Sequence, residues 1–295
     1  MSNLLKNLKQ LAGGLLAVLL LSVLFWGCDE NTPSDSFTYP LEVGNIWEYQ
    51  RTITMIFYED SSGVRTNLDT VESGSYAVTT TVAGVHDFGD TLSTREIVSS
   101  YHENGEEFVR SIYYVKTSSG LFSMAYRGNG PFGYPKQVEP HQFIFHGHIF
   151  SDVAAFSNAL QLGYFPTGSE SDSIQFYSQP VQALAFPFKV GGEWDYRPPG
   201  NPFHQGRHVV GRTNLSLDST SYDCYQVNTR YDMHDDGTWD DNIAITDYYA
   251  REGLVQREVI ILGSLELDSQ GEPTGRKFDS HDRYELTHVI LSDAN

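Results

Sequence analysis

The chain has 295 residues, 40% of them hydrophobic and 13% aromatic, with 38 acidic residues against 19 basic ones for a net charge of −19. Such an acidic body repels nucleic acid and anionic lipid surfaces, so neither is an expected partner. Its 18 tyrosines and 17 phenylalanines, alongside many Thr, Val and Ile, suit strands better than helices.

Lys6 and Lys9 precede residues 11–27 (LAGGLLAVLLLSVLFWG), a run without charge, and Cys28 follows at once with the polar stretch DENTPSDS. A basic start, an apolar core and a small residue before the cut describe a secretory signal over residues 1–27. That run of 17 is also at the short limit for crossing a bilayer. Gly27 before Cys28 resembles the lipobox of bacterial lipoproteins, whose cysteine becomes the acylated mature N-terminus, although Phe25 and Trp26 are bulkier than the residues usual there. An uncleaved anchor helix is the alternative. Either way the chain is expected to be tethered in the cell envelope, with the outer membrane as its address and residues 28–38 as the tether. Without the signal, 17 basic residues face 38 acidic ones, a net charge of −21, so membrane attachment has to come through the lipid. An acylated Cys28 leaves Cys224, within the strand-like SYDCYQV, as an inert buried thiol with no internal partner.

The mature part opens on YPLEVGNIWEYQ (39–50), which returns as FPFKVGGEWDYR (186–197) at a constant offset of 147. From Trp47 the chain alternates: Trp47, Tyr49, Ile53, Met55 and Phe57 face one way, Glu48, Gln50, Thr52 and Thr54 the other, and Arg51 interrupts the apolar face once. Period-two alternation marks a strand with one wet face. Residues 76–83 and 92–101 read as strands leading to a turn at HENGEE, followed by SIYYVKTSSGLF from Ser111. Residues 128–150, rich in Gly, Pro and aromatics, read as loop and short strand. Residues 151–162 predict a helix capped by Ser151, with Val153, Phe156 and Leu160 on one face and Gly163 at its end. The remainder to 183 reads as an exposed connection. After the second phrase, 208–217 and 222–231 read as strands leading to a turn at HDDGTWDD, then ITDYYAREGLVQREV from Ile245. Asn-Gly and Asp-Gly between alternating runs signal hairpins. Phrase, strands, acidic hairpin, Tyr-Tyr and Gly-Leu thus occur twice in the same order. The expected fold is mainly β: antiparallel meanders in two related halves, 39–183 and 184–295, forming an open half-barrel or curved sheets with one short helix.

YPLEVGNIWEY, STSYDCYQV and DYYAREGLVQRE together resemble a largely uncharacterised family of Gram-negative envelope lipoproteins. Those proteins share a Pro-Leu-x-x-Gly-x-x-Trp-x-Tyr opening, a segment like Gly-Thr-Phe-Asp-Cys-Tyr and a Tyr-Tyr-Ala-x-Gly-x-Gly-Leu-Val segment. Here Ser221 and Tyr222 stand where Thr and Phe are usual, and Glu252 where the first Gly of the last motif is common. The chain is more distantly similar to the half-open barrels of lipoprotein carriers of the LolA and LppX type. The resemblance implies a fold and a compartment, and no catalytic residue.

Chemical motifs are sparse. His146 and His148 would share a face if strand-borne, with His141 nearby, yet zinc needs three or four placed ligands. In DMHDDGTWDDN, Asp232, His234, Asp236 and Gly237 fall near calcium-loop positions, but Ile243 stands where a bidentate Glu is required, and a solvated hairpin tip is the plainer reading. A nucleophile elbow, His-Glu-x-x-His, a P-loop and a dinucleotide turn are all absent. The expectation is therefore a non-enzymatic lipoprotein without metal or cofactor, binding a lipid or other hydrophobic molecule in a groove lined by Trp47, Tyr49, Phe57, Trp194, Tyr196 and Phe156. An adaptor presenting Phe132, Tyr134, Phe143, Phe145 and Phe150 to envelope proteins is the alternative, and a metal-dependent hydrolase using His141, His146 and His148 the third.

Overall fold

The computed structural model describes residues 37–61, 64–89, 92–103, 105–128, 142–152, 155–156, 171–200 and 203–292. The signal, Cys28, Phe132, Tyr134, His141 and most of the predicted 151–162 helix lie outside the described residues. The strands are β1 (Ile46–Ser61), β2 (Val64–Phe88), β3 (Leu92–Glu103), β4 (Glu106–Thr117), β5 (Gly120–Gly128), β6 (Gln142–Phe145) and β7 (His148–Phe150). They continue with β8 (Ser171–Ala185), β9 (Glu193–Arg197), β10 (His204–Leu217), β11 (Thr220–Asp232), β12 (Ile243–Ala250), β13 (Gly253–Leu267) and β14 (Pro273–Ile290).

Two expectations need correction, and one conditional reading falls away. The segment read as an exposed connection carries β8, whose Pro180 is tolerated because β8 ends the path of strands, where one side of the backbone needs no ladder partner. At the predicted helix start, the cap is Asp152 instead of Ser151. Its Oδ1 accepts the Ala155 N–H at 2.5 Å, and its carbonyl accepts the Phe156 N–H at 3.2 Å. His146 is not on a strand: with Gly147 it forms the two-residue turn between β6 and β7, both at positive φ (47° and 76°).

Among the described residues, twelve strands form one antiparallel path, β8-β5-β4-β3-β2-β1-β14-β13-β12-β11-β10-β9, that curls into a nearly closed barrel. Each half supplies six strands in the same spatial order. The halves are zipped along β1 and β14, from Ile46 opposite Ile290 to Glu59 opposite Arg276. At the other seam, among the described residues, β8 and β9 share no ladder. They are bridged by side chains instead: Trp194 Nε1 donates to the Gln182 carbonyl at 3.1 Å, and Arg207 Nη1 to the Ala183 carbonyl at 2.7 Å. Exposed ion pairs such as Arg212–Asp223, Arg230–Glu193 and Arg283–Glu258 make the outside a water-facing surface.

The repeated phrase folds the same way twice. Asn45 N–H bonds the Glu42 carbonyl, as Gly192 N–H bonds that of Lys189. Gly44 N–H then donates to the Val82 carbonyl and the Asn45 carbonyl accepts the Val82 N–H, while Gly191 and Gly192 do the same with Val209. Register shifts follow at Val82/Gly84 and Val209/Gly211, and again within each Tyr-Tyr pair, at Tyr113/Tyr114 and Tyr248/Tyr249. Each Gly-Leu then begins the return strand of a hairpin, Gly120 opposite Thr117 and Gly253 opposite Ala250. Both glycines mark close approaches: a Cβ on Gly253 would sit 3.1 Å from Trp47 Nε1, and one on Gly120 2.3 Å from the Leu184 carbonyl oxygen.

Inside the barrel, two apolar clusters are separated by a charged belt. Trp47 and Tyr49 join the first cluster, with Val227, Tyr249, Val255 and Leu286. Ile53, Met55 and Phe57 join the second, with Phe143, Phe145, Phe156 and Phe278. Arg51, the interruption seen in the sequence, points inward between them. Its Nε and Nη2 bond Asp282 at 2.9 and 2.7 Å, both side chains being almost fully buried. Strand register sets Arg51 opposite Tyr284, Tyr284 opposite Arg257, and Arg257 opposite Asp247, so the belt runs across β1, β14, β13 and β12.

Candidate functional site

Within the first cluster lies a cavity of about 200 Å³. Six of its wall residues come in pairs from the repeated motifs: Tyr49 and Tyr196 from the phrase, Tyr114 and Tyr249 from the Tyr-Tyr pairs, Leu121 and Leu254 from the Gly-Leu turns. Alternation explains the phrase tyrosines, which lie two residues beyond the tryptophans on the same face. The bulge inside each Tyr-Tyr pair re-aims the second ring, as bulges do. The motifs that read as packing signals in the sequence therefore build the wall of one site.

Charge enters where the halves differ. Counting two residues back from the bonded valines, Thr80 of the first half corresponds to Arg207 of the second. Counting two back from Tyr114 and Tyr249, Ile112 corresponds to Asp247. Arg207, Arg257 and Arg110 all line the cavity, whereas Asp247 is fully buried just behind it. Arg257 grips Asp247 bidentately, Nε to Oδ1 at 2.6 Å and Nη2 to Oδ2 at 2.8 Å. Tyr249 also donates to Oδ2, at 3.0 Å. Arg207 stands further off, with Nη2 3.7 Å from the same carboxylate and its guanidinium 4.6 Å above the Tyr196 ring. The Arg207 Nε is buried and has no hydrogen-bond partner among the described residues.

These surroundings set the protonation states. Burial pushes the Asp247 carboxyl up, but the Arg257 and Arg207 guanidiniums and the Tyr249 hydroxyl outweigh it and hold the group below the ordinary carboxylate range. Burial likewise pushes the Tyr114 hydroxyl up to about 12, with Tyr196 adding to the shift, and raises Tyr49 and Tyr249 well above the usual phenol value. The cavity thus presents permanent cations and neutral hydroxyls. Its aliphatic hydroxyls, Thr80 and Ser99, bond each other at 2.9 Å.

Of the six residues expected to line a groove, Tyr49 and Tyr196 face this cavity. Trp47 is buried beside it, its Nε1 donating to the Glu252 carbonyl at 2.5 Å. Trp194 is half-buried and stacks on Phe188. Phe57 and Phe156 belong to the other apolar cluster. Of the rings assigned to an exposed adaptor patch, Phe143 and Phe145 are interior and Phe150 packs against them. His146 binds Asp240 Oδ1 through Nδ1 at 3.0 Å and Asn242 Oδ1 through Nε2 at 3.1 Å. His148 Nε2 meets the Met233 carbonyl at 2.9 Å, so these nitrogens tie β6 and β7 to the acidic hairpin. In that hairpin, Asp232 accepts the Asp236 and Gly237 amides at 3.1 and 2.7 Å, and Asp240 that of Met233 at 2.7 Å. Among the described residues no cluster of His, Cys, Asp and Glu is arranged to hold a metal. Burial pushes the Cys224 thiol up to about 12, with the Asp223 and Glu252 carboxylates adding to it.

Sequence reasoning missed Arg110, Arg207, Arg257, Asp247, Tyr114 and Tyr249. A usable signal was present: Asp247 falls in phase with Ile243, Ile245 and Tyr249, and Arg207 with Val209, so charges stood on the apolar side of the alternation.

No protein-family model matches the chain, and no curated protein does. Among solved structures, it is similar to a protein designated a lipoprotein from Parabacteroides distasonis, at 12% identity and a TM-score of 0.30, over 86% of this chain and 99% of that one. It is also similar to a protein designated as exported, with a YmcC-like fold, from Bacteroides fragilis, at 10% identity and a TM-score of 0.28, with the same two coverages. Likeness at these scores carries no argument for function.

Proposed function

We propose that this chain is a non-enzymatic binding protein of the cell envelope, tethered through an acylated Cys28 at the outer membrane, that holds a small molecule inside its barrel. The observation that carries the reading is the convergence of three repeated motifs on one cavity. Motifs needed only to close a core have no reason to leave a hole of about 200 Å³ between them. That volume lies below the roughly 300–1,000 Å³ usual for drug-sized ligands, which favours a compact metabolite over a lipid with its acyl chains. A binding role fits the wall better than catalysis does. Its cations are arginines, burial keeps the Tyr49, Tyr114 and Tyr249 phenols protonated, and Thr80 and Ser99 are bonded to each other instead of to a base, so no activated nucleophile is assembled.

Native mass spectrometry of the acylated protein, gently extracted from its own envelope, tests this directly. A discrete added mass, retained when the mature chain is prepared without its acyl groups, is the expected result. A bare protein that takes up nothing from a metabolite extract would discard the reading. The tether is tested separately: Cys28→Ser should move the protein from the membrane fraction to the soluble one.

A further inference from the structure

We infer that the cavity selects a small organic oxyanion, a carboxylate or a phosphate monoester, whose head meets Arg207 and Arg110 and whose apolar body lies against Ile97, Ile112 and Leu121. This inference rests on the binding reading above and names its ligand class.

The argument starts from charge. Arg207 and Arg257 share a single carboxylate, Asp247, and Arg257 takes both of its oxygens in close bonds. Arg207 is left at 3.7 Å, with one Nη1 bond to a backbone carbonyl and a buried Nε without a hydrogen-bond partner among the described residues. A guanidinium that lines a cavity and holds its carboxylate only at 3.7 Å can still offer its planar fork to a bound oxyanion. Arg110 adds a third guanidinium to the wall, and among the described residues no Asp or Glu lines the cavity. Desolvation disfavours the charged form of Arg110, so this face gains from any anion brought to it.

The position of these cations also speaks against a purely structural role. At matched points of the two halves, the first keeps Thr80 and Ile112 where the second has Arg207 and Asp247, so the fold closes around either kind of residue. On a chain of net charge −19, this pocket brings three guanidiniums to one wall, each largely or fully buried from bulk solvent. Oxyanion recognition inside such a pocket is strengthened by the low local dielectric. The Tyr114 hydroxyl, held neutral by burial, is an additional donor, and Ile97 and Ile112, neighbours of Arg110 on β3 and β4, set the length of the ligand's apolar part.

The test uses the mature chain in low-chloride buffer at neutral pH, with benzoate and phenyl phosphate as anionic probes and benzamide and benzyl alcohol as their uncharged counterparts. Thermal unfolding and titration calorimetry should show binding of one or both anions and of neither neutral compound. Preference between benzoate and phenyl phosphate then identifies the head group. Arg207→Met should weaken that binding about tenfold or more, and Arg110→Met provides a second variant should Arg207→Met fail to fold. Equal binding of benzamide and benzoate, or an uncharged molecule co-purifying from the envelope, would overturn the oxyanion while leaving the binding reading standing. Absence of any shift, together with a bare mass for the extracted protein, would overturn both.

Discussion

At the scale of single residues, two buried carboxylates govern how the interior responds to mutation and to acid. Asp282 exists inside the barrel because Arg51 does, and removing one partner strands the other in a medium that cannot solvate it. Asp282→Ala should therefore cost about 3–5 kcal/mol in urea unfolding, while replacing both with apolar residues, Arg51→Met with Asp282→Leu, should recover much of the loss. Asp247 adds a pH dependence. Its folded-state carboxyl titrates below the unfolded value of about 3.9, so its contribution is complete above that pH and is lost as pH falls through the lower folded value. Thermal unfolding followed from about pH 5 down to pH 2 should show a steeper fall for the native chain than for Asp247→Asn. Equal slopes would mean that Arg257 and Arg207 do not stabilise the charged carboxylate.

At the scale of elements, each half is a meander whose turns are fixed by backbone contact as much as by side chains. Gly253 carries φ of 108° and lies under the Trp47 indole, and Gly120 lies against the backbone of β8. Adding a methyl at either place has to push a ring or a strand aside, so Gly253→Ala and Gly120→Ala should each destabilise by about 1–3 kcal/mol. Gly84 meets nothing within 4 Å of a built Cβ, and Gly84→Ala should stay within about 0.5 kcal/mol. Parallel denaturation curves of the three variants check the contrast. Because Gly253 packs on Trp47, its variant should also shift the tryptophan fluorescence, whereas the Gly120 variant should leave it nearer to that of the native chain.

At the scale of the whole molecule, the barrel has two equivalent seams with unequal closure. The β1–β14 seam is a continuous ladder; its counterpart between β8 and β9 relies on Trp194 and Arg207 reaching carbonyls of β8. Hydrogen exchange should accordingly find the amides of β1 and β14 among the slowest, opening only with global unfolding, and those of β9 and the facing side of β8 among the fastest strand amides. A ligand bound to Arg207 would sit beside this weaker seam, so ligand binding should slow exchange in β8 and β9 more than in β1 and β14. Uniform protection around the barrel would contradict the unequal seams.

Much of this architecture was legible in the chain itself. Alternation from Trp47 gave the inward face of β1 correctly, including Arg51 as its one charged member, and the repeat at an offset of 147 matched the two phrase turns residue for residue. Hairpin chemistry placed the turn at Gly105 and the acidic one after Asp232. These features depend on local geometry: two residues per pleat, and turn positions that only certain residues tolerate. The strand β8 escaped because an edge position forgives the Pro and polar residues that argue against a strand elsewhere. The site escaped for a different reason. Alternation states which way a side chain points but not what it meets there, and the meeting is decided by register between strands far apart in the chain. Tyr49 reaches the Leu254 carbonyl across 205 residues, and Arg110, Arg207 and Arg257 come to one cavity from β4, β10 and β13. Their composition was visible in the sequence; only closure of the barrel, which sets every strand's neighbours at once, made them a site.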